Sequence, residues 1–286
     1  MFATDFLFDQ HYASDFGLMI CSFDQSPETA SGGEIEYNTV KTPGRDRFSF
    51  YGAQRNTAIE WHFSICKNPD QNQTSYFTQY EESRIAKWLL QTDGYKLFHF
   101  CQEGYEDIFY HACINMTPHQ FLGQTVGFDL TVTSDCAYGF TSVITQKAVL
   151  NETETSLVLE FRVLSDVKAC ILPRVRIRGT GSFQISNESD GGHPAATFQN
   201  LSGGETQELI MDSDADTVFI QNKDTVVPLP NPDMFNWRFL RLVDGVNRIV
   251  LQKIPKTEST ESSFKTSDTN NIKIEIQYRE PRRIIV

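Results

Sequence analysis

Apolar residues along this chain recur in short runs of two-residue period, and Gly, Pro, Asn, Asp and Ser cut the runs apart. That alternation predicts β-strands, because successive side chains on a strand point to opposite faces. The opening stretch "DFLFDQHYASDFGLMICSFD" (Asp5–Asp24) reads as two short strands, Phe6–Phe8 and Leu18–Ser22, joined by a polar turn at Asp9–Asp15. Further strands are expected at Ile59–Cys66, Tyr95–Cys101, Asp107–Ile114, Thr125–Val132, Ser156–Leu164, Val175–Ile177, Ser182–Ile185, Glu208–Met211, Thr217–Ile220, Phe239–Leu242, Asn247–Leu251 and Ile272–Tyr278. One segment has the helical period: Ile85, Trp88 and Leu89 fall at i, i+3 and i+4. Thr78 and Glu81 form a capping box in front of them, Glu81 and Glu82 favour the helix dipole, and Gly94 ends the run. A single helix is predicted over about residues 78–91.

The fold class expected is mainly β in two domains, with a seam near Asp135–Gly139. Residues 1–139 should form a β-sandwich carrying the helix and a polar hairpin arm, Glu28–Arg47. Residues 140–286, purely strand and loop, should form a second β-sandwich. The Ser/Thr-rich stretch Pro255–Asn271 reads as a mobile loop between two strands.

Composition narrows the function. A chain of 286 residues with 40% hydrophobic content fills two cores. No window approaches the roughly 18 consecutive apolar residues of a membrane helix, so no membrane insertion is expected. A secretory leader needs a basic start and about 7–15 unbroken apolar residues; Asp5, Asp9, Asp15 and Asp24 interrupt every early run, so the fold is expected to begin at once. The net charge of −12 argues against a duplex-binding protein, whose affinity comes from cations on phosphates. Cys21, Cys66, Cys101, Cys113, Cys136 and Cys170 form no C-x-x-C pair, and most sit inside apolar strand-like runs, so they read as reduced thiols of an intracellularly assembled protein. The N-x-[ST] sequons at Asn72, Asn115, Asn151, Asn187 and Asn200 carry no chemistry without a secretory route.

No catalytic motif is present: there is no G-x-S-x-G, H-E-x-x-H, Walker loop or G-x-G-x-x-G. The strongest metal candidate is His99 with Cys101 and His111 with Cys113. A hairpin turning at Glu103–Gly104 would pair residue 99 with about 108 and 111 with about 96, placing the two pairs on opposite sheet faces. One zinc ion with ligands at about 2.0–2.3 Å cannot be reached from both, so neither a metal nor any other cofactor is expected. "DSDAD" (Asp212–Asp216) resembles the start of a calcium loop, but Thr217 and Lys223 stand where Gly and Glu are needed, so a turn is expected. Ser202–Glu205 and Asp190–Pro194 are Gly turns with no helix behind them, hence poor phosphate cradles. "YREPRRIIV" (Tyr278–Val286) reads as a final strand with an exposed basic tail.

Several stretches together resemble the phage distal tail proteins, the siphophage tail-tip hub family. They are "SDFGLMICSF" (Ser14–Phe23), "VKTPGRDRFSFYG" (Val40–Gly52), "RIAKWLL" (Arg84–Leu90), "YKLFHFCQEGYEDIFYHACI" (Tyr95–Ile114) and "GFDLTVTSDCAYGF" (Gly127–Phe140). In the second half they are "GETQELIMDSDADTVF" (Gly204–Phe219), "FLRLVDGVNRIVL" (Phe239–Leu251) and "IKIEIQYREPRR" (Ile272–Arg283). At Cys136-Ala137 the family commonly has a Pro-aromatic pair. The resemblance implies a galectin-like C-terminal sandwich and no active site. It also implies a hexameric ring, closed by the N-terminal domains, between the tail tube protein and the tail-associated tip protein or receptor-binding proteins. DNA would pass through the ring without specific binding, and the virion would assemble in the host cytoplasm. The competing reading is a carbohydrate-binding, lectin-like β-sandwich, with Trp237 the one aromatic candidate, expected to pack beside the Phe239 strand. A β-sandwich hydrolase comes third, without paired carboxylates or a nucleophile.

Overall fold

A computed structural model of the chain describes residues 3–23, 29–31, 35–55, 58–202, 207–222, 225–254 and 271–283. The expected loop Pro255–Asn271 lies outside them up to residue 270, as do Glu28 and residues 32–34 of the expected arm. The chain divides into two compact units, Met1–Ser142 with Arg282–Val286, and Val143–Pro281.

The first unit contains β1 (Asp5–Phe8), β2 (His11–Tyr12), β3 (Leu18–Cys21), β4 (Thr29–Ser31), β5 (Ile35–Lys41), β6 (Phe48–Arg55), β7 (Glu60–Lys67), α1 (Gln79–Leu89), β8 (Lys96–Cys101), β9 (Tyr110–Phe121), β10 (Gln124–Ser134) and β11 (Gly139–Phe140). Eight of these strands make one antiparallel sheet in the order β2-β1-β8-β9-β10-β7-β3, with β4 also on β7. In a flat sheet β1 and β7 would lie about 19 Å apart, four spacings of roughly 4.8 Å. The rings of Phe6 and Phe63 are 5.5 Å apart instead, edge to face. The sheet therefore rolls over itself, and its two halves face each other as a sandwich across an aromatic core of Phe6, Phe8, Trp61, Phe63, Phe98 and Phe100.

Helix α1 closes that core with Ile85, Trp88 and Leu89, the positions its period predicted. Trp88 stacks on Phe6 at 5.7 Å and on Phe16 at 4.3 Å, and its indole N–H donates to the Phe8 carbonyl at 2.8 Å. The capping box forms as expected: Thr78 Oγ1 accepts from the Glu81 N–H, and Glu81 Oε2 accepts from the Thr78 N–H at 2.8 Å. Glu81 Oε1 also meets the Lys67 ammonium at 2.7 Å, and the Lys67 side chain is 6% exposed. That ammonium, followed by the Thr78 hydrogen bonds, holds the Glu81 carboxyl down at about 2.

The second unit is a two-sheet antiparallel sandwich. Its strands are β12 (Ile144–Leu150), β13 (Ser156–Val163), β14 (Arg174–Arg178), β15 (Thr180–Asn187), β16 (Ala196–Ser202), β17 (Gln207–Asp212), β18 (Thr217–Asn222), β19 (Thr225–Pro228), β20 (Gly245–Lys253) and β21 (Ile272–Tyr278). One sheet runs β12-β21-β14-β17-β18-β19 and the other β13-β20-β15-β16. Val175, Ile177, Ile274, Ile276 and Met211 of the first face Phe183, Ile185, Phe198, Ile249 and Leu251 of the second. The mainly β, two-sandwich class read from the periodicity is the class observed.

The strand expected at Phe239–Leu242 is not one. Leu240 and Leu242 are buried while Arg241 is not, which produces the period of two, yet only Leu242 bridges to another residue, Ile171. Side-chain amides replace the ladder. Asn187 Nδ2 donates to the Arg241 carbonyl at 2.9 Å. The fully buried Asn247 accepts from the Val243 N–H at 2.8 Å and donates to the Val243 carbonyl at 2.7 Å.

Candidate functional site

The feature of the first unit that its own fold leaves unused is the arm, β5 and β6. These strands pair with each other and, among the described residues, with no third strand. The turn between them is built by "TPGR" (Thr42–Arg45). The Arg45 N–H donates to the Thr42 carbonyl at 3.1 Å, and Gly44 takes φ +83°, which a type II turn requires at that place after Pro43. One face of the arm is aromatic. Tyr37, Phe48 and Phe50 are 61%, 63% and 64% exposed, with Tyr37 and Phe50 rings 6.4 Å apart and the Lys41 ammonium 5.8 Å from the Phe48 ring. Tyr51, the extra residue of a bulge opposite Asn38 and Thr39, adds a fourth exposed ring. The arm expected as polar Glu28–Arg47 is thus displaced along the chain and is apolar on one side. The alternation in "FSFY" (Phe48–Tyr51) is the signal that could have located it.

The His/Cys candidates fall otherwise than expected. Leu97 pairs with His111 and Phe98 with Tyr110, one step from the register assumed for a turn at Glu103–Gly104. A one-residue slip exchanges faces, so His99, Cys101, His111 and Cys113 all share the outer face, and parity does not separate them. Distance does. Cys101 lies five positions, roughly 17 Å, along β8 from Lys96, which pairs with Ala112 next to Cys113. His99 Nδ1 lies 2.8 Å from the Ile108 carbonyl and His111 Nδ1 lies 3.4 Å from Asp135 Oδ2. Among the described residues no three His, Cys, Asp or Glu side chains converge as metal ligands do.

Asp212–Asp216 is the turn of the β17–β18 hairpin, with Asp212 Oδ1 accepting from the Ala215 N–H at 3.3 Å; Lys223 lies outside the described residues. In Asp190–Pro194 the Asp190 carboxylate is taken by Arg241 Nε at 2.9 Å. Residues 203–205 of the Ser202–Glu205 turn lie outside the described residues. The C-terminal segment is less exposed than expected: Glu280 is buried and accepts from the Leu164 N–H at 2.8 Å, and Pro281 is buried beside it. Residues 284–286 are outside the described set. Trp237 does not bury itself beside Phe239. It is 51% exposed at φ +56°, with its ring edge on Phe235 at 5.7 Å.

Comparison with known proteins agrees with this architecture. Residues 1–136 match the phage tail protein N-terminal domain family. No curated protein matches the chain in sequence. The fold is similar to the crystal structure of SPP1 Dit, described as a paradigm of the hub adsorption apparatus in phages that infect Gram-positive bacteria. The TM-score is 0.59 at 12% identity, covering 97% of this chain and 98% of that one. Residues 1–136, the rolled sheet with its helix, thus resemble a phage tail protein N-terminal domain, and the whole chain shares the fold of SPP1 Dit.

Proposed function

We propose that this chain is the subunit of a hexameric hub ring at the tail tip of a phage or prophage particle. The ring joins the tail tube protein to the tip protein and receptor-binding proteins, surrounds a channel for DNA, assembles in the host cytoplasm, and performs no catalysis. Residues 1–139 close the ring, and residues 140–286 form an independent outward sandwich. The arm is the observation that carries this reading. An isolated two-stranded hairpin is marginal in water, and each ring of Tyr37, Phe48, Phe50 and Tyr51 gains about 2 kcal/mol on burial. A neighbouring copy supplies that burial, and head-to-tail contacts of constant rotation close into a ring. The acidic balance suits a conduit, since a basic lumen would hold DNA by its phosphates.

The test uses the full chain. Light scattering and negative-stain images should show six-membered rings, and Tyr37→Ser with Phe48→Ser and Phe50→Ser should give folded monomers. Assembly unchanged by these exposed substitutions would reject the arm as its cause. One observation supports the lectin reading: Trp237 is half exposed in a left-handed conformation that costs a bulky residue about 1–3 kcal/mol. Monomeric protein whose glycan binding is lost in Trp237→Ala would put that reading first.

A further inference from the structure

The outer face of the six-stranded sheet in the second unit carries an arrangement of charge that folding alone does not explain. Register places Lys147 opposite Glu275, Glu275 opposite Arg176, and Lys273 opposite Arg178. The last is a like-charge pair directly across two strands, which is destabilising unless a counter-charge lies near. Counter-charge is short. Glu208 is shared between Arg176 at 3.8 Å and Arg178, while Glu275 pairs with Lys147 at 3.4 Å. Lys273 makes no ion pair among the described residues, and the Nε of Arg176 is buried without an acceptor. Four cations thus face two carboxylates around a pocket of about 320 Å³, which they line together with Ala148, Val149 and Ile274. In a chain of net charge −12 this is a local surplus of two positive charges.

We propose that this pocket binds a phosphorylated polyol or sugar. The guanidinium groups of Arg176 and Arg178, with Lys273, offer the donors that a phosphate monoester or diester accepts from. Glu208 and Glu275, set between the cations, are acceptors that a bare anion cannot use and that sugar or polyol hydroxyls donate to. The volume stands at the small end of ligand sites and takes one or two monomer units. A duplex would instead need an extended run of cations.

The experiment is calorimetry on the full chain at low ionic strength with glycerol 3-phosphate and glucose 6-phosphate. Glucose, inorganic phosphate and a short DNA duplex are the controls. Binding in the millimolar range or tighter is expected for the phosphorylated compounds, weakening as salt is added. It should fall about tenfold in Lys273→Ala, and again when Lys147→Ala is added. Lys273 is exposed and has no ion pair among the described residues, so its removal leaves the thermal midpoint unchanged or raises it. Absence of heat with both phosphorylated compounds would overturn the proposal, as would binding indifferent to Lys273→Ala. Equal affinity for inorganic phosphate removes the role of the carboxylates and also overturns it. Binding of the duplex alone assigns the surface to nucleic acid instead.

Discussion

Replacing Glu81 by alanine should cost far more than an ordinary helix cap, because Glu81 performs two tasks at once. Its Oε2 completes the capping box with Thr78, a contribution of about 1 kcal/mol. Its Oε1 is the partner of the Lys67 ammonium, which sits almost fully inside the first unit, 5.2 Å from the Phe77 ring. Breaking a fully buried pair by removing one partner costs about 3–5 kcal/mol. Glu81 is itself 37% exposed, so solvent reaches the pair and a reduced figure of about 1–2 kcal/mol is appropriate. The expected loss in Glu81→Ala is therefore about 2–3 kcal/mol. Lys67→Met, which replaces the ammonium by an apolar chain of similar length, should change stability by less than about 1 kcal/mol. In that background Glu81→Ala should cost only the cap, about 1 kcal/mol. Urea unfolding followed by Trp fluorescence in a Trp237→Phe background reads the first unit through Trp61 and Trp88. Acid gives a second readout. Glu81 titrates near 4.5 when unfolded and near 2 when folded, so its contribution is present above 4.5 and disappears as pH falls through 2. Lys67 is the largest cause of that depression, so the acid-sensitive part should shrink in Lys67→Met. Equal losses from Glu81→Ala with and without Lys67 would refute the coupling.

Asn247→Leu should lower stability by about 2–4 kcal/mol, because it removes the partner of the part-buried Val243 N–H and carbonyl and of one amide hydrogen of the buried Asn187. A calorimetric midpoint within about 2 °C of wild type would contradict this. Gly127→Ala places a Cβ 2.1 Å from the Phe23 ring and 2.6 Å from the Ile65 carbonyl, and backbone cannot swing aside as a ring can. A loss of about 1–3 kcal/mol is expected in the same assay, and a neutral result would mean that β7 and β10 separate without strain.

The sequence disclosed most where one residue type has one physical outlet. Thr78, Glu81 and the Ile85–Trp88–Leu89 spacing define α1 almost to the residue, since capping and helical period are local. Strand existence was legible for the same reason, but pairing was not. Register depends on loops such as the one after Cys101, whose length alone does not fix the turn, and a single step was enough to move His111 and Cys113 to the other face. Phe239–Leu242 shows a second limit: alternate burial looks the same whether backbone groups are held by a neighbouring strand or by Asn187 and Asn247. The basic pocket could not be read at all. Lys147, Arg176, Arg178 and Lys273 are scattered over more than a hundred positions and meet only through three strand pairings.

Those pairings also bear on when the second unit can acquire its structure. Its opening strand, β12, finds its partner in β21, so that Leu150 waits for Ile272 and Ile144 for Tyr278. The central strand β14 likewise relies on β21 for one of its two neighbours. A ribosome must therefore release nearly the whole segment before the six-stranded sheet can join its two sides, and contacts of such sequence separation make for slow closure. Until then β12 and β14 each present an unpaired edge. Chains halted before residue 272 should therefore be recognised as incomplete by the cell.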